Sequence, residues 1–217
     1  ETCSRGFAIT DRNDNQIWGF YEGAMKMAPK VSLTPHLTKA KLLVIAPNDP
    51  YAMTKYVYEA IQAKIPYVFD PAFNIPHFSV RDLKMAAVNA HILVGNDYEV
   101  SLIERRLKVA SHNLSKHCEV LVTTLGSYGS RIQTKTKSFK ILSAKPKNES
   151  DPTGAGDAYR GGFLAGYYRG LPLDVCGRMG SISAVYTVEK YGTQTHGFSV
   201  NQFKKRYKQN FGAELAL

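Results

Sequence analysis

The stretch Asp151-Pro152-Thr153-Gly154-Ala155-Gly156-Asp157 carries residue types that can do chemistry together. It is a glycine-rich turn running into helical spacing over residues 158–169, which Gly170 and Pro172 bring to an end. A helix start leaves several backbone N–H groups without intrahelical acceptors, and the positive end of the helix dipole lies there too. Together they suit an anion, most often a phosphate. Gly154, Ala155 and Gly156 carry almost no side chain, so a ligand can come close to their backbone. Asp157 falls in the first turn, where a carboxylate is favoured and can face whatever the amides hold. Amides that stabilise a transferring group, with a carboxylate to take the proton of an attacking hydroxyl, are the parts of phosphoryl transfer to an alcohol. A plainer reading stands beside it, in which Asp157 is a helix cap worth about 1 kcal/mol and the glycines only make a turn.

The elements that must position this stretch alternate along the chain. Residues 7–10 and 16–21 are strand-like and flank a polar turn, Asp11 to Asn15, which predicts a β-hairpin; Glu22-Gly23-Ala24-Met25 then reads as a loop. From Leu42 the pattern is strand, helix, strand: strands over 42–46, 66–69, 91–94 and 120–124, with helical spacing over 51–63, 80–88 and 98–109. Residues 131–134 and 139–142 predict an antiparallel pair, and a helix over 173–190 follows the one behind Asp157. Short apolar runs alternating with helices imply an α/β sandwich, a mainly parallel sheet with helices on both faces. In such sheets ligands sit beyond the carboxyl ends of the strands. Asp70-Pro71, Gly95 to Glu99, Thr124 to Gly129 and Asp151 to Asp157 are all expected there.

Two of these segments have chemistry of their own. Asn96 and Glu99, three apart at a helix start, can share one face and hold a hydrated cation, or they can form a capping box. Thr124 can bond a phosphate oxygen while Gly126 and Gly129 admit close approach, or the same glycines can serve a plain hairpin. Arg160 is near enough to Asp157 to reach a substrate or phosphate, or to form a surface ion pair. Behind Asp157 come Gly161, Gly162, Ala165 and Gly166, then Gly177, Gly180, Ser181, Ser183 and Ala184 on the next helix. Each interior glycine costs a helix about 1 kcal/mol relative to alanine, which close packing of the two helices would offset. Gly192 reads as the glycine cap that ends the second helix.

The 217 residues are enough for one domain with a sizeable core, and 44% hydrophobic against 21% charged content indicates a soluble protein. No apolar run is long enough for a membrane span. Cys3, Cys118 and Cys176 are odd in number and lack metal or redox spacing, which points to a reducing cytoplasm. The net charge of +10 raises a nucleic-acid partner, but the basic residues are dispersed. Their densest run, Lys204 to Lys208, falls on an amphipathic helix, so a solvated face that attracts anionic nucleotide is favoured. The P-loop pattern is absent.

Asp151 to Tyr159, D-P-T-G-A-G-D-A-Y, resembles the signature D-T-x-G-A-G-D-x-F of the ribokinase-like (PfkB) carbohydrate and nucleoside kinases, with Pro152 in place of Thr and Tyr159 in place of Phe. The 96–99 segment resembles that family's N-x-x-E motif, and Thr124 to Gly129 its T-x-G-x-x-G loop. The resemblance implies a three-layer α/β/α sandwich, with residues 40–217 as core and nucleotide site and residues 1–25 as the remnant of a small β lid in an N-terminally incomplete domain. It implies Asp157 as catalytic base and Gly154, Ala155 and Gly156 as anion hole. Asn96, Thr124, Gly126, Gly129, Thr153 and Gly192 would hold nucleotide, and Asn96 with Glu99 would position Mg²⁺. ATP is then the donor, with K⁺ a further candidate at Asp151 and Thr153. Residues 9–16, 20–25 and 69–72 look most like the adenosine-kinase-like branch, implying transfer to the 5′-hydroxyl of a nucleoside. A sugar kinase for ribose or a keto-deoxy acid, a non-catalytic nucleotide-binding relative and a nucleic-acid binder are the alternatives. No membrane or nucleic-acid partner is expected, and a homodimer is compatible with the resemblance.

Overall fold

Alternating apolar and polar residues lay down a hairpin first: β1 (Arg5–Thr10) and β2 (Gln16–Tyr21) pair antiparallel, with Arg5 opposite Tyr21 and Ile9 opposite Ile17. The computed structural model describes residues 2–11, 16–109 and 113–217, so positions 12–15 of the expected polar turn lie outside the described residues. Contacts divide the chain into two compact units, residues 1–95 with 99–119 and residues 96–98 with 120–217.

In the first unit, Glu22 to Met25 is not the expected open loop. A 3₁₀ helix runs over Gly23–Lys30, pinned because the Ala24 amide donates to Thr2 O at 2.8 Å, Lys55 Nζ to the carbonyls of Pro29 and Val31, and the Tyr56 hydroxyl to Ala28 O. Gly23 holds φ at +52°, and a Cβ there would sit 2.4 Å from Thr2 O. A short helix, α1 (Thr34–Leu37), precedes three parallel strands: β3 (Leu43–Ile45), β4 (Tyr67–Phe69) and β5 (Ile92–Asn96), with Leu43 beside Tyr67 and Val68 beside Ile92. All three residues of β4 are buried, as expected of a strand covered on both faces. The Tyr67 hydroxyl escapes a lone burial by donating to Ala86 O at 2.8 Å.

Helices α2 (Pro50–Gln62) and α3 (Val80–Val88) connect these strands. Each begins where the sequence supplies a cap: Asp49 accepts from the Ala52 amide at 2.9 Å and Ser79 from the Asp82 amide at 3.0 Å. Ala52, Met53, Val57 and Ala60 form the buried stripe of α2. Helix α4 (Asp97–Leu107) follows β5 directly, and Val100 and Ile103 are its buried apolar side chains.

The second unit holds three antiparallel strands, β6 (Val120–Thr124), β7 (Ser130–Gln133) and β8 (Ser138–Ile141). Thr124 lies opposite Ser130 and Ser130 opposite Ile141, so the carboxyl ends of β6 and β8 share one edge. Helices α5 (Ala155–Tyr168) and α6 (Leu173–Val188) pack through their small residues. A Cβ on Gly162 would come within 2.3 Å of Ser183 Oγ and 2.6 Å of Met179 O, and one on Gly180 within 2.9 Å of Tyr159 O. The helices therefore approach closely enough to offset the entropy their glycines cost.

Helix α6 ends at Val188 with Glu189 as its cap, so Gly192 is not the cap expected from the sequence. Gly192 holds φ at +90° in the turn beyond. Glu189 stops the helix early because it is fixed from outside: Arg206 grips both carboxylate oxygens, and the Lys147 amide donates to Oε1. Arg206 belongs to α7 (Val200–Phe211), which opens on a capping box between Ser199 and Gln202. The basic run is thereby broken up: Arg206 and Tyr207 are buried and Lys208 pairs with Glu214, leaving Lys205 exposed beside a half-buried Lys204.

Candidate active site

Gly154 stands at the N-terminus of α5 with φ at +83°, a left-handed conformation that glycine adopts without strain. Ala155, Gly156 and Asp157 are the first three residues of the helix, and the Ala158 amide closes its first bond onto Gly154 O at 2.9 Å. The Ala155 amide turns back to Pro152 O at 3.1 Å. Among the described residues, the amides of Gly154 and Gly156 have no such acceptor, which makes them the donors a bound anion would meet. Nothing lies within 4 Å of where a Gly156 Cβ would be, so the approach is open.

Asp157 projects from this first turn with its side chain 70% exposed, and its Oδ1 accepts a charged hydrogen bond from Arg160 Nη2 at 2.7 Å. The ion pair read from the sequence for Arg160 is present. An exposed carboxylate one step from unpaired amides can take a proton from a hydroxyl placed between them.

Asp151 holds the turn in shape. Its Oδ1 accepts from the Thr153 amide at 2.9 Å and its Oδ2 from the Gly192 amide at 3.0 Å. Hydrogen bonds from Thr153, side chain first and then backbone, and from the Gly192 amide keep this carboxyl below its ordinary range despite a small opposing effect of burial. The 192–193 turn is brought against the cradle: a Cβ on Gly154 would sit 3.2 Å from the Thr193 side chain. A turn or cation role is what sequence reasoning expects of Asp151; nothing local signals its bond to an amide 41 residues away.

Thr124 ends β6, and the loop after it is a single 3₁₀ turn over Gly126–Tyr128. The Leu125 amide donates to Gly129 O at 2.8 Å and the Gly129 amide to Gly126 O at 3.1 Å. The two glycines serve different ends. Gly126, φ +57°, faces open space, whereas a Cβ on Gly129, φ +93°, would overlap Ile141 O at 2.0 Å. Gly129 thus lets β8 pass, and Gly126 is the position where a ligand could approach.

One buried contact ties this loop to α5. The hydroxyls of Ser130 and Tyr159 are 2.6 Å apart, and burial pushes the tyrosine pKa up to about 12 in spite of the bond. Tyrosine in place of phenylalanine at this position is accommodated because serine supplies the partner. Asn96, exposed at the end of β5, belongs with Asp97 and Tyr98 to this same unit. The stretches bearing Asn96, Thr124–Gly129 and Asp151–Asp157 therefore share one compact body. Glu99 belongs to the first unit, where its Oε2 would lie 3.3 Å from a Cβ on Gly95. No group of three or more His, Cys, Asp or Glu side chains able to hold a metal occurs among the described residues.

Comparison with known proteins identifies the family. Residues 3–199 match the pfkB family carbohydrate kinase pattern, and the chain belongs to that family. It is 35% identical over 217 residues to a nucleoside kinase of Methanothermobacter thermautotrophicus, covering 99% of this chain and 69% of that protein. It is 33% identical over 196 residues to a nucleoside kinase of Methanocaldococcus jannaschii, covering 90% of this chain and 64% of that protein. The chain thus spans less than two thirds of the latter's length. Among solved structures, the Burkholderia thailandensis nucleoside kinase in complex with inosine superposes with a TM-score of 0.93 at 27% identity, covering 98% of this chain and 71% of that one. The fold is the ribokinase-like α/β fold expected from the sequence.

Proposed function

We propose that this protein is an ATP-dependent kinase that transfers the γ-phosphoryl group to the 5′-hydroxyl of adenosine or a related nucleoside. The observation that carries the reading is the start of α5, where the Gly154 and Gly156 amides lie unengaged beside the exposed carboxylate of Asp157. Asp157 takes the hydroxyl proton as the oxygen bonds to phosphorus and the bond to the leaving ADP breaks. The amides of the 154–156 cradle meet the charge on the transferring group. Thr124 offers its hydroxyl to a phosphate oxygen, and Thr153, with its hydroxyl and amide on Asp151, shapes the turn that meets the phosphates. Gly126 and Gly192 leave the nucleotide room, with Gly129 shaping the loop. Mg²⁺, held through water by Asn96 and Glu99, would neutralise phosphate charge; K⁺ near Asp151 is a further candidate, tested by activity in Na⁺ against K⁺. Support for the nucleoside comes from the relatives: both archaeal proteins are nucleoside kinases, and the Burkholderia enzyme has complexes with inosine and with ADP-inosine. Three cysteines outside any disulfide among the described residues, together with the use of ATP, favour the cytoplasm. A homodimer is compatible with this reading and a nucleic-acid partner is not required by it, since α7 buries or pairs part of the basic run.

The test is a phosphorylation assay on the full-length protein with adenosine, inosine, cytidine and ribose as acceptors. A nucleoside should exceed ribose in kcat/KM; the reverse order makes it a sugar kinase, and no turnover with any acceptor leaves a non-catalytic nucleotide-binding relative. Asp157→Asn should lower kcat by about 10²- to 10⁴-fold, the usual contribution of a general base, with little change in the KM for ATP. Near-normal turnover of that variant removes the assignment.

A further inference from the structure

Asp157 and Arg160 are three residues apart on α5, so their side chains rise from one face of the helix. In an ordinary surface ion pair both partners are solvated and the bond contributes little. This pair is lopsided. The arginine side chain is only 14% exposed while the carboxylate it holds is 70% exposed. The cation is embedded and the anion protrudes. The bond is made to Oδ1 alone, at 2.7 Å, and among the described residues Oδ2 takes no hydrogen bond. A side chain with two free torsions is thus held through one oxygen, while the carboxylate stays 70% exposed in the first turn after Gly154. Holding a reacting group in its productive geometry is one of the larger sources of rate, and an error of about 1 Å can lose about 10²-fold.

We propose that Arg160 is the positioning residue of the base: its embedded guanidinium holds Asp157 through Oδ1 so that Oδ2 faces the acceptor hydroxyl. This rests on Asp157 being the base. Arginine is needed more than a bare positive charge, because a planar guanidinium bonded at one nitrogen fixes direction as well as distance. On this assignment the loss of Arg160 falls on the chemical step and not on binding.

The experiment uses the full-length protein with Arg160→Gln and Arg160→Lys, each alone and each in the Asp157→Asn background, with folding followed by circular dichroism. Arg160→Gln should lower kcat about 10- to 100-fold with the KM values for ATP and nucleoside within about twofold of the parent. Arg160→Lys, which keeps the charge, should recover part of that loss. In the Asp157→Asn background neither change should cost anything further, because residues acting as one unit are not additive. Losses that add to that of Asp157→Asn, losses confined to KM, or a kcat equal to the parent's in both single variants would overturn the assignment while leaving the kinase reading intact. No turnover by the parent would instead overturn the kinase reading, and full turnover by Asp157→Asn the base assignment on which this proposal rests. Should Arg160→Gln fail to fold, Arg160→Lys and its double variant carry the same comparison.

Discussion

The Ser130 and Tyr159 hydroxyls share one hydrogen bond, 2.6 Å long and buried, between the first residue of β7 and the fifth of α5. Its value lies in mutual satisfaction: either group alone would be a buried polar atom without a partner. Ser130→Ala should therefore destabilise by about 1–3 kcal/mol, the desolvation penalty of the orphaned tyrosine hydroxyl. Tyr159→Phe together with Ser130→Ala should restore most of that, since removing both partners is close to neutral. Denaturant midpoints of the two singles and the double measure it, and a double variant less stable than both singles would show that the bond does not act as a pair.

Two adjacent glycines in α5 should respond oppositely to the same methyl group. Gly161 is exposed, with nothing within 4 Å of an added Cβ, so Gly161→Ala should stabilise by up to about 1 kcal/mol through helix propensity. Gly162 is buried, and its Cβ would strike a main-chain carbonyl, Met179 O, at 2.6 Å and Ser183 Oγ at 2.3 Å. Gly162→Ala must push the helices apart, and should cost about 1–3 kcal/mol, as overpacking does. Thermal melts of the two variants in parallel decide, and equal responses would mean the helices are not held as closely as described.

How far the sequence went can be judged from particular residues. The β1–β2 hairpin, the bounds of α3 and β6, and the first-turn place of Asp157 were legible because each rests on local signals: strand-like runs about a polar turn, helical spacing, a short buried run, glycines before a helix. Glu22 to Met25 was misread as a loop because its helix is held by Lys55 and Tyr56, some thirty residues on, and no propensity encodes that. Gly192 was misread as a cap for a like reason, since the helix before it ends where Arg206 of α7 fixes Glu189. In the candidate site, the residue types proposed to bind or react were visible. The long-range bonds that orient them, Asp151 to Gly192 and Ser130 to Tyr159, were not.

The Glu189–Arg206 pair gives a pH dependence whose sign follows from the bond. Burial alone would raise the Glu189 pKa, but hydrogen bonds from Arg206 and the Lys147 amide, with the charges of both residues, outweigh it and hold the carboxyl below its ordinary value of 4.5. A carboxylate lowered in the folded state contributes stability that is fully present above its unfolded pKa. That contribution fades as pH falls through the folded value. Stability should therefore drop on acidification below about pH 4.5, more steeply for the parent than for Glu189→Gln. Arg206→Met, which strands the carboxylate with its side chain 10% exposed, should cost about 3–5 kcal/mol at neutral pH. Glu189→Met in the same chain should recover much of it. Urea titrations at pH 7 and pH 4 test both, and identical acid limbs in parent and Glu189→Gln would rule the pair out as their cause.

The Asp151 carboxylate joins the two turns that border the cradle, accepting from Thr153 within its own turn and from Gly192 in the other. Asp151→Asn keeps the shape but replaces one acceptor oxygen with an amide donor, which faces the Thr153 or the Gly192 N–H and cannot satisfy it. One of the two turns must then shift. Gly154 is packed on Thr193 at what would be 3.2 Å from an added Cβ, so movement of the 192–193 turn reaches the amides proposed to bind the anion. Displacements of this size near the reacting groups cost about 10²-fold, so kcat for Asp151→Asn in the full-length protein should fall by roughly that factor. Asp151→Ala, which leaves both amides to solvent and inserts no misplaced donor, should lose less order in the turn than Asn imposes, and its kcat should lie between the two. The KM for ATP should rise in both, because Gly192 belongs to the proposed nucleotide side of the site. Steady-state kinetics with ATP and the nucleoside varied separately give the four constants needed. If both variants keep the parent's kcat, the cradle is stiff without Asp151, and the bond to Gly192 is a feature of the turn alone.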